Sequence, residues 1–178
     1  MPINLAVVML TGKMRWMAAV GVLFVTAAAA GCASGSSRSA IIGRSAPAYG
    51  GPTIAGPAVA STSKPGRWVV VNFFATWCIP CQTETPQLVA FVAAHRASGD
   101  AAVVGVLYLD APAKARSFVA AHGITWAIVN DHDGTVAERY HVTGLPQSFV
   151  IRPDGRLAVR LFGAVTEAKL DDVIGSST

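Results

Sequence analysis

The apolar positions of the chain fall into runs whose period changes from one to the next, and each period predicts an element. Residues 68–75 (WVVVNFFA) carry no charge and are rich in Val and Phe, the pattern of a central strand buried on both faces. Directly after it, over 79–95, Leu88, Val89, Phe91 and Val92 recur at helical spacing. Pro80 falls in the first turn of that helix, where its missing N–H is harmless, whereas Pro86 lies inside it, a position that predicts a kink. Residues 101–109 predict a second buried strand. Asp110 then reads as an N-cap, with Pro112 just inside a helix that runs to about His122 and stops at Gly123 in a left-handed C-cap.

Beyond Gly123 the runs shorten. Residues 125–129 predict a short strand, and 135–140 a short helix whose Thr135 and Glu138 have capping-box spacing. Residues 147–152 and 156–162 alternate and are joined by Arg152-Pro153-Asp154-Gly155, a turn signal. Thr166 caps a closing helix to about Ile174. The order βαβα, short helix, ββα puts parallel pairing first and an antiparallel hairpin after it. The fold class is therefore α/β, a mixed central sheet with helices on both faces. Over 43–66, Pro and Gly are frequent, which predicts short edge strands or loops.

The N-terminal pattern is of another kind. Lys13 and Arg15 precede an uncharged segment, 16–31, which gives way to ASGSSRS from Ala33. A cationic start, an apolar stretch of about 15 residues and small residues before a break are the marks of an export signal. The segment is short beside the roughly 20 residues of a spanning helix. Its end, Ala29-Ala30-Gly31-Cys32, resembles a bacterial lipobox, which implies acylation of Cys32. The chain then divides into a lipoprotein-type signal peptide over 1–31, a flexible tether over 32–42 and a domain over 43–178.

Composition changes this picture little. A chain of 178 residues holds one domain plus a tail, and part of its 52% hydrophobic content belongs to the signal. Removing that signal takes away Lys13 and Arg15 and no acid, so fourteen cations against ten anions become twelve against ten. The pI of 9.3 therefore gives no argument for nucleic acid, and no basic run interleaved with aromatics supplies one.

The candidate chemistry sits where the first strand meets the first helix, at Cys78-Ile79-Pro80-Cys81. The thiolate is the reactive form of cysteine, and unsatisfied N–H groups at a helix N-terminus favour it, so Cys78 is the expected nucleophile. Cys81, one turn on, can return to break a mixed disulfide. A zinc site needs more than two ligands, and no second Cys or His pair has matching spacing, so no metal is expected. A purely structural bridge over two residues closes too small a loop to stabilise much. His95, His122, His132 and His141 are scattered at helix ends and turns and read as surface residues. Asn130-Asp131-His132-Asp133-Gly134 lacks the alternating ligands and terminal Glu of a calcium loop and reads as a turn.

Val71-Asn72-Phe73-Phe74-Ala75-Thr76-Trp77-Cys78-Ile79-Pro80-Cys81, the downstream Glu84 and Pro86, and Thr143-Gly144-Leu145-Pro146-Gln147-Ser148-Phe149-Val150-Ile151 carry a family resemblance. Over 43–174 the chain resembles the thioredoxin-fold lipoproteins and exported thiol-disulfide oxidoreductases of the TlpA, ResA and DsbE type. That resemblance implies a thioredoxin-like fold, a redox-active Cys78–Cys81 disulfide and no cofactor. It implies protein substrates with thiols or disulfides, a membrane redox partner and an extracytoplasmic place on the cell membrane. Pro146 matches the family's cis-proline facing the cysteines, Leu145 offers backbone to an extended substrate, and Trp77 matches the flanking tryptophan. Glu84 resembles an acid that tunes the thiols and shuttles a proton. Asn72 departs from thioredoxin proper, which has a buried Asp there, and this shifts acid–base work to Glu84.

The resemblance leaves direction open. ResA-like proteins reduce partner disulfides, as in apocytochrome c before haem attachment, whereas DsbE-like ones in some bacteria oxidise secreted proteins; Ile79-Pro80 resembles the reductive group slightly more. A copper-binding metallochaperone of the same fold spaces its cysteines by three residues and adds a defined His, and neither is present. A peroxidase with a single peroxidatic cysteine is disfavoured by the nearby Cys81.

Overall fold

The computed structural model describes residues 41–62 and 65–176. The expected export signal, the expected lipidation site Cys32 and the expected tether up to residue 40 lie outside the described residues. Ile41 and Ile42, counted with the tether in the sequence, are half-buried and pack against the core.

Among the described residues, five strands and four helices follow in the order β1 (Trp68–Phe74), α1 (Ile79–Ala94), β2 (Ala101–Tyr108), α2 (Pro112–Ala121), β3 (Ile128–Asp131), α3 (Thr135–Arg139), β4 (Gln147–Ile151), β5 (Leu157–Phe162) and α4 (Glu167–Gly175). The sheet order is β3-β2-β1-β4-β5. β1 runs parallel to β2, and β2 to β3, while β4 pairs antiparallel with β1 and with β5. β1 is thus the central strand that its charge-free sequence demands, with all seven residues buried.

Strand alternation decides what each residue of β1 meets. Val69, Val71 and Phe73 face α3 and the N-terminal segment, where Tyr140, Phe149 and Tyr49 share their cluster. Phe73, Phe149 and Tyr140 form an aromatic triangle with ring centres 4.7–5.6 Å apart, at angles of 53–78°. Trp68 and Val70 face Leu88 and Phe91 of α1 and Leu170 and Ile174 of α4. Phe74, at the end of the strand, packs with Phe118 of α2 and with both cysteines. Asn72 lies on this helical side too, which matters below.

Three sequence expectations need correction. The strand expected over 125–129 begins later, at Ile128, because Gly105 of β2 takes Ile128 as its partner. The short helix α3 does not use a Thr135–Glu138 capping box. Its N-cap is Gly134 at φ 73°, and the free N–H groups of Val136 and Ala137 donate instead to the Asp131 carboxylate at 2.8 and 2.9 Å. Asp133 accepts from the N–H of Thr135, so the acids of the Asn130–Gly134 cluster serve a turn and a cap. His95 is not simply a surface residue: its ring nitrogens lie 2.9 Å from Asp100 and 3.0 Å from Asp171, joining the end of α1 to β2's entry and to α4. Partial burial works against its positive charge, but hydrogen bonds to the two carboxylates outweigh this and raise its pKa. The 43–66 region makes isolated bridges, Gly51 with Val59 and Thr53 with Val129, as its Pro and Gly content predicts.

Packing over β2 is tight enough to test. A Cβ on Gly105 would collide with Ile128 Cδ1 and sit 3.2 Å from Phe74 Cε1. Gly105→Ala is expected to lower stability by about 2 kcal/mol through overpacking, read from the urea midpoint at unchanged m-value.

Candidate active site

The turn between β1 and α1 is fixed at Thr76. Its N–H and Oγ1 both donate to Asp110 Oδ2, at 2.7 and 2.6 Å, and its carbonyl accepts from Gln82 Nε2 at 2.8 Å. Asp110 is therefore not the N-cap of α2: that position is Ala111, which makes no side-chain cap bond. The carboxylate reaches across to the neighbouring strand end because Thr76 offers two donors there. Burial tends to raise its pKa, but the Thr76 hydrogen bonds and the N–H of Ala111 outweigh this and hold it below the ordinary value.

With Thr76 anchored, Trp77 and Ile79 stand out into solvent, 61% and 67% exposed. Trp77 is thus no part of the core. Between them Cys78 forms the N-cap of α1 and is disulfide-bonded to Cys81, with Cα atoms 5.2 Å apart. The N–H of Cys81 points at Cys78 Sγ at 3.2 Å, so the helix N-terminus directs a donor to that sulfur. Cys81 lies deeper, 1% exposed, on the helix face that also carries Glu84, Thr85, Leu88 and Phe91.

The second loop of the site comes from the other side of the sheet. The Leu145–Pro146 peptide bond is cis. Between the two loops runs a groove of about 450 Å³, with Trp77, Cys78 and Ile79 on one wall and Thr143, Gly144 and Leu145 on the other. Tyr108, from the end of β2, also lines it, and among the described residues no charged side chain does. Nothing in the sequence marks Tyr108. Its placement follows from β1 and β2 being parallel neighbours with their C-terminal ends together.

Glu84 is 1% exposed and fully engaged. Its Oε1 accepts from Asn72 Nδ2 at 2.8 Å, and its Oε2 from the N–H of Val165 at 3.0 Å. Asn72 donates to Ser148 Oγ as well, at 3.0 Å. Burial pushes the Glu84 pKa up to about 7, with the Val165 and Asn72 hydrogen bonds pulling against it. A carboxyl buried among neutral partners can take or give a proton near neutral pH. The sequence marks Asn72 and Glu84, but Val165 and Ser148 escape it. Ser148 alone leaves a trace, as a hydroxyl directly ahead of the apolar run Phe149-Val150-Ile151.

Among the described residues, no group of three or more His, Cys, Asp or Glu side chains is arranged to hold a metal ion.

A mixed sheet that presents a CxxC pair at a helix start opposite a cis-proline defines a class: thioredoxin-fold oxidoreductases that work through a cysteine pair. Within it, a family model described as the AhpC/TSA family matches residues 42–160, more than half of the chain, and the chain belongs to that family. It is similar to the thiol-disulfide oxidoreductase ResA of Bacillus subtilis, 32% identical over 107 residues, which covers 60% of this chain and 59% of that relative's length. Its similarity to ResA of Bacillus thuringiensis subsp. konkukian is 27% over 140 residues, 77% of this chain and 79% of the relative. Among solved structures, a thiol:disulfide interchange protein of the thioredoxin family from Chlorobium tepidum superposes with a TM-score of 0.67 at 28% identity, covering 74% of this chain and 94% of that one.

Proposed function

We propose that this chain exchanges disulfides with partner proteins outside the cytoplasm, held to the membrane by a lipid on Cys32 and working in the reductive direction. The observation that carries the exchange reading is the Cys78–Cys81 disulfide opening on a groove whose far wall is Leu145, ahead of cis-Pro146. Location is supported by Lys13 and Arg15 before an apolar segment that ends in Gly31-Cys32. Direction is supported by Ile79-Pro80 and by relatives named ResA. An apocytochrome c awaiting haem is the partner that the ResA resemblance suggests.

In the reduced protein, the Cys78 thiolate attacks one sulfur of the partner's disulfide. The partner's S–S bond breaks, a Cys78–partner bond forms, and the other partner sulfur leaves as a thiolate that takes up a proton. Cys81, deprotonated, then attacks Cys78 Sγ. The Cys78–Cys81 bond forms and the second partner sulfur departs, so two electrons have passed from the pair to the partner. Glu84 lies one turn beyond Cys81 on the same helix face, and its pKa of about 7 suits it to accept the Cys81 proton. A membrane redox partner reverses these steps to regenerate the dithiol.

Cys81→Ser tests the proposal because it removes the resolving thiol and keeps the attacking one. Expressed in the native cell, it is expected to accumulate as a partner adduct at Cys78 that dithiothreitol releases and mass spectrometry identifies. A folded variant that captures nothing overturns the exchange reading. Direction has its own measurement: a reduction potential near that of a strong oxidant, about −120 mV, removes the reductive assignment.

A further inference from the structure

The loop over 141–147, which supplies the wall opposite Cys78, is held by one side chain from outside it. Arg160 stands on the edge strand β5 directly across from Phe149, and Phe162 across from Gln147. Strand alternation puts these four side chains on one face. The Arg160 guanidinium lies 4.6 Å from the Phe162 ring centre and 5.3 Å from that of Phe149. From that seat its Nη2 donates to the His141 carbonyl at 2.6 Å and to Gln147 Oε1 at 3.1 Å. The same Gln147 oxygen accepts from the N–H of Thr143 at 3.3 Å. Residues 141, 143 and 147 are therefore gathered on one nitrogen and one oxygen, with Gly144 and Leu145 spanning the gap toward Cys78.

The loop needs such a hold. His141 has φ 51°, a left-handed backbone that a residue other than glycine keeps only where its surroundings impose it. Gln147 is 1% exposed, and its amide nitrogen has no hydrogen-bond partner among the described residues. Its oxygen is thus what fixes it, through Arg160 and Thr143. A planar guanidinium can stack on rings and bridge two acceptors at once, which an ammonium cannot do in the same plane.

We propose that Arg160 is a positioning residue for disulfide exchange: it touches neither sulfur nor partner, and it sets the Thr143–Leu145 backbone at the distance from Cys78 that an extended partner segment requires. This rests on the exchange reading of the site. The test compares two disulfides against the reduced full-length chain: a cystine-containing peptide, which must lie along the groove, and hydroxyethyl disulfide, which need not. Arg160→Ala is expected to slow the peptide reaction on the order of tenfold, as misplacement of a docking surface does, largely through a raised KM. The rate with hydroxyethyl disulfide and the equilibrium with glutathione stay unchanged. Arg160→Lys, which keeps the stem and charge, shows the same split at smaller size, and it serves alone where the alanine variant does not fold. Equal losses on both disulfides, or no loss on either in a folded variant, overturn the positioning role. Wild-type protein inert toward both overturns the exchange reading itself, and the positioning role falls with it.

Discussion

Between about pH 4.5 and pH 7, the wild-type protein is expected to lose stability that Glu84→Gln does not lose. The unfolded chain releases the Glu84 proton near its ordinary pKa of 4.5, whereas the folded protein holds it up to about 7. Across that window the unfolded state binds fewer protons than the folded one, so rising pH favours unfolding. At about 1.4 kcal/mol per unit, the cost reaches about 3 kcal/mol and is constant above the folded pKa. Glutamine carries no proton to lose. It does lose an acceptor, because one of its two ends faces either Asn72 Nδ2 or the N–H of Val165 with a donor of its own. That penalty shifts the whole curve and leaves its slope alone. Urea midpoints taken from pH 4 to 8 separate the two effects. Parallel curves for wild type and Glu84→Gln would mean that the carboxyl titrates normally and cannot serve as the proton acceptor of Cys81.

That the carboxyl is buried at all lay beyond what the sequence discloses. An acid in the first turns of a helix is as readily a solvated partner of the helix dipole, and nothing local separates the two. Its burial follows from Val165, 81 residues away, and from Asn72 on the central strand. The elements themselves were legible because their signals are local: the charge-free β1, the helical spacing of α1, Gly123 at φ 64° and Thr166 capping α4 through the N–H of Lys169. Where a residue has two suitors, local reading chose the nearer one. Asp110 reads as the cap of the following helix but binds Thr76 in the β1–α1 turn, and Thr135 reads as the cap of a helix whose free N–H groups Asp131 takes instead. The Asp110 difference is topological: parallel strands bring their C-terminal ends together, and a side chain there finds a partner across the sheet. The Asp131 cap is local, decided by the conformation of its own turn. The shared strand ends also hide Tyr108, and the antiparallel β4–β5 register hides Arg160. The cysteine pair is legible because both its residues, and the helix start beside them, lie within a single turn of chain.

Cys78→Ser is expected to abolish exchange, by roughly a thousandfold or more, the scale on which loss of an attacking group acts. Cys81→Ser, by contrast, retains the first attack and stops at the mixed disulfide. The asymmetry is geometric. Both cysteines pack in the cluster of Phe74, Leu107 and Phe118, but Cys78 borders the groove and is 5% exposed, whereas Cys81 does not line it and is 1% exposed. Cys78 Sγ also receives the N–H of Cys81 at 3.2 Å, at the helix end where a negative sulfur is favoured, while Cys81 has the body of the helix behind it. In the reduced wild type, a short pulse of iodoacetamide should therefore label Cys78 before Cys81, and peptide mapping reads the order directly. Prior labelling at Cys81 would reverse the two roles. The mixed disulfide would then have to form on a sulfur that does not border the groove, and Leu145 and Pro146 would be facing the wrong cysteine.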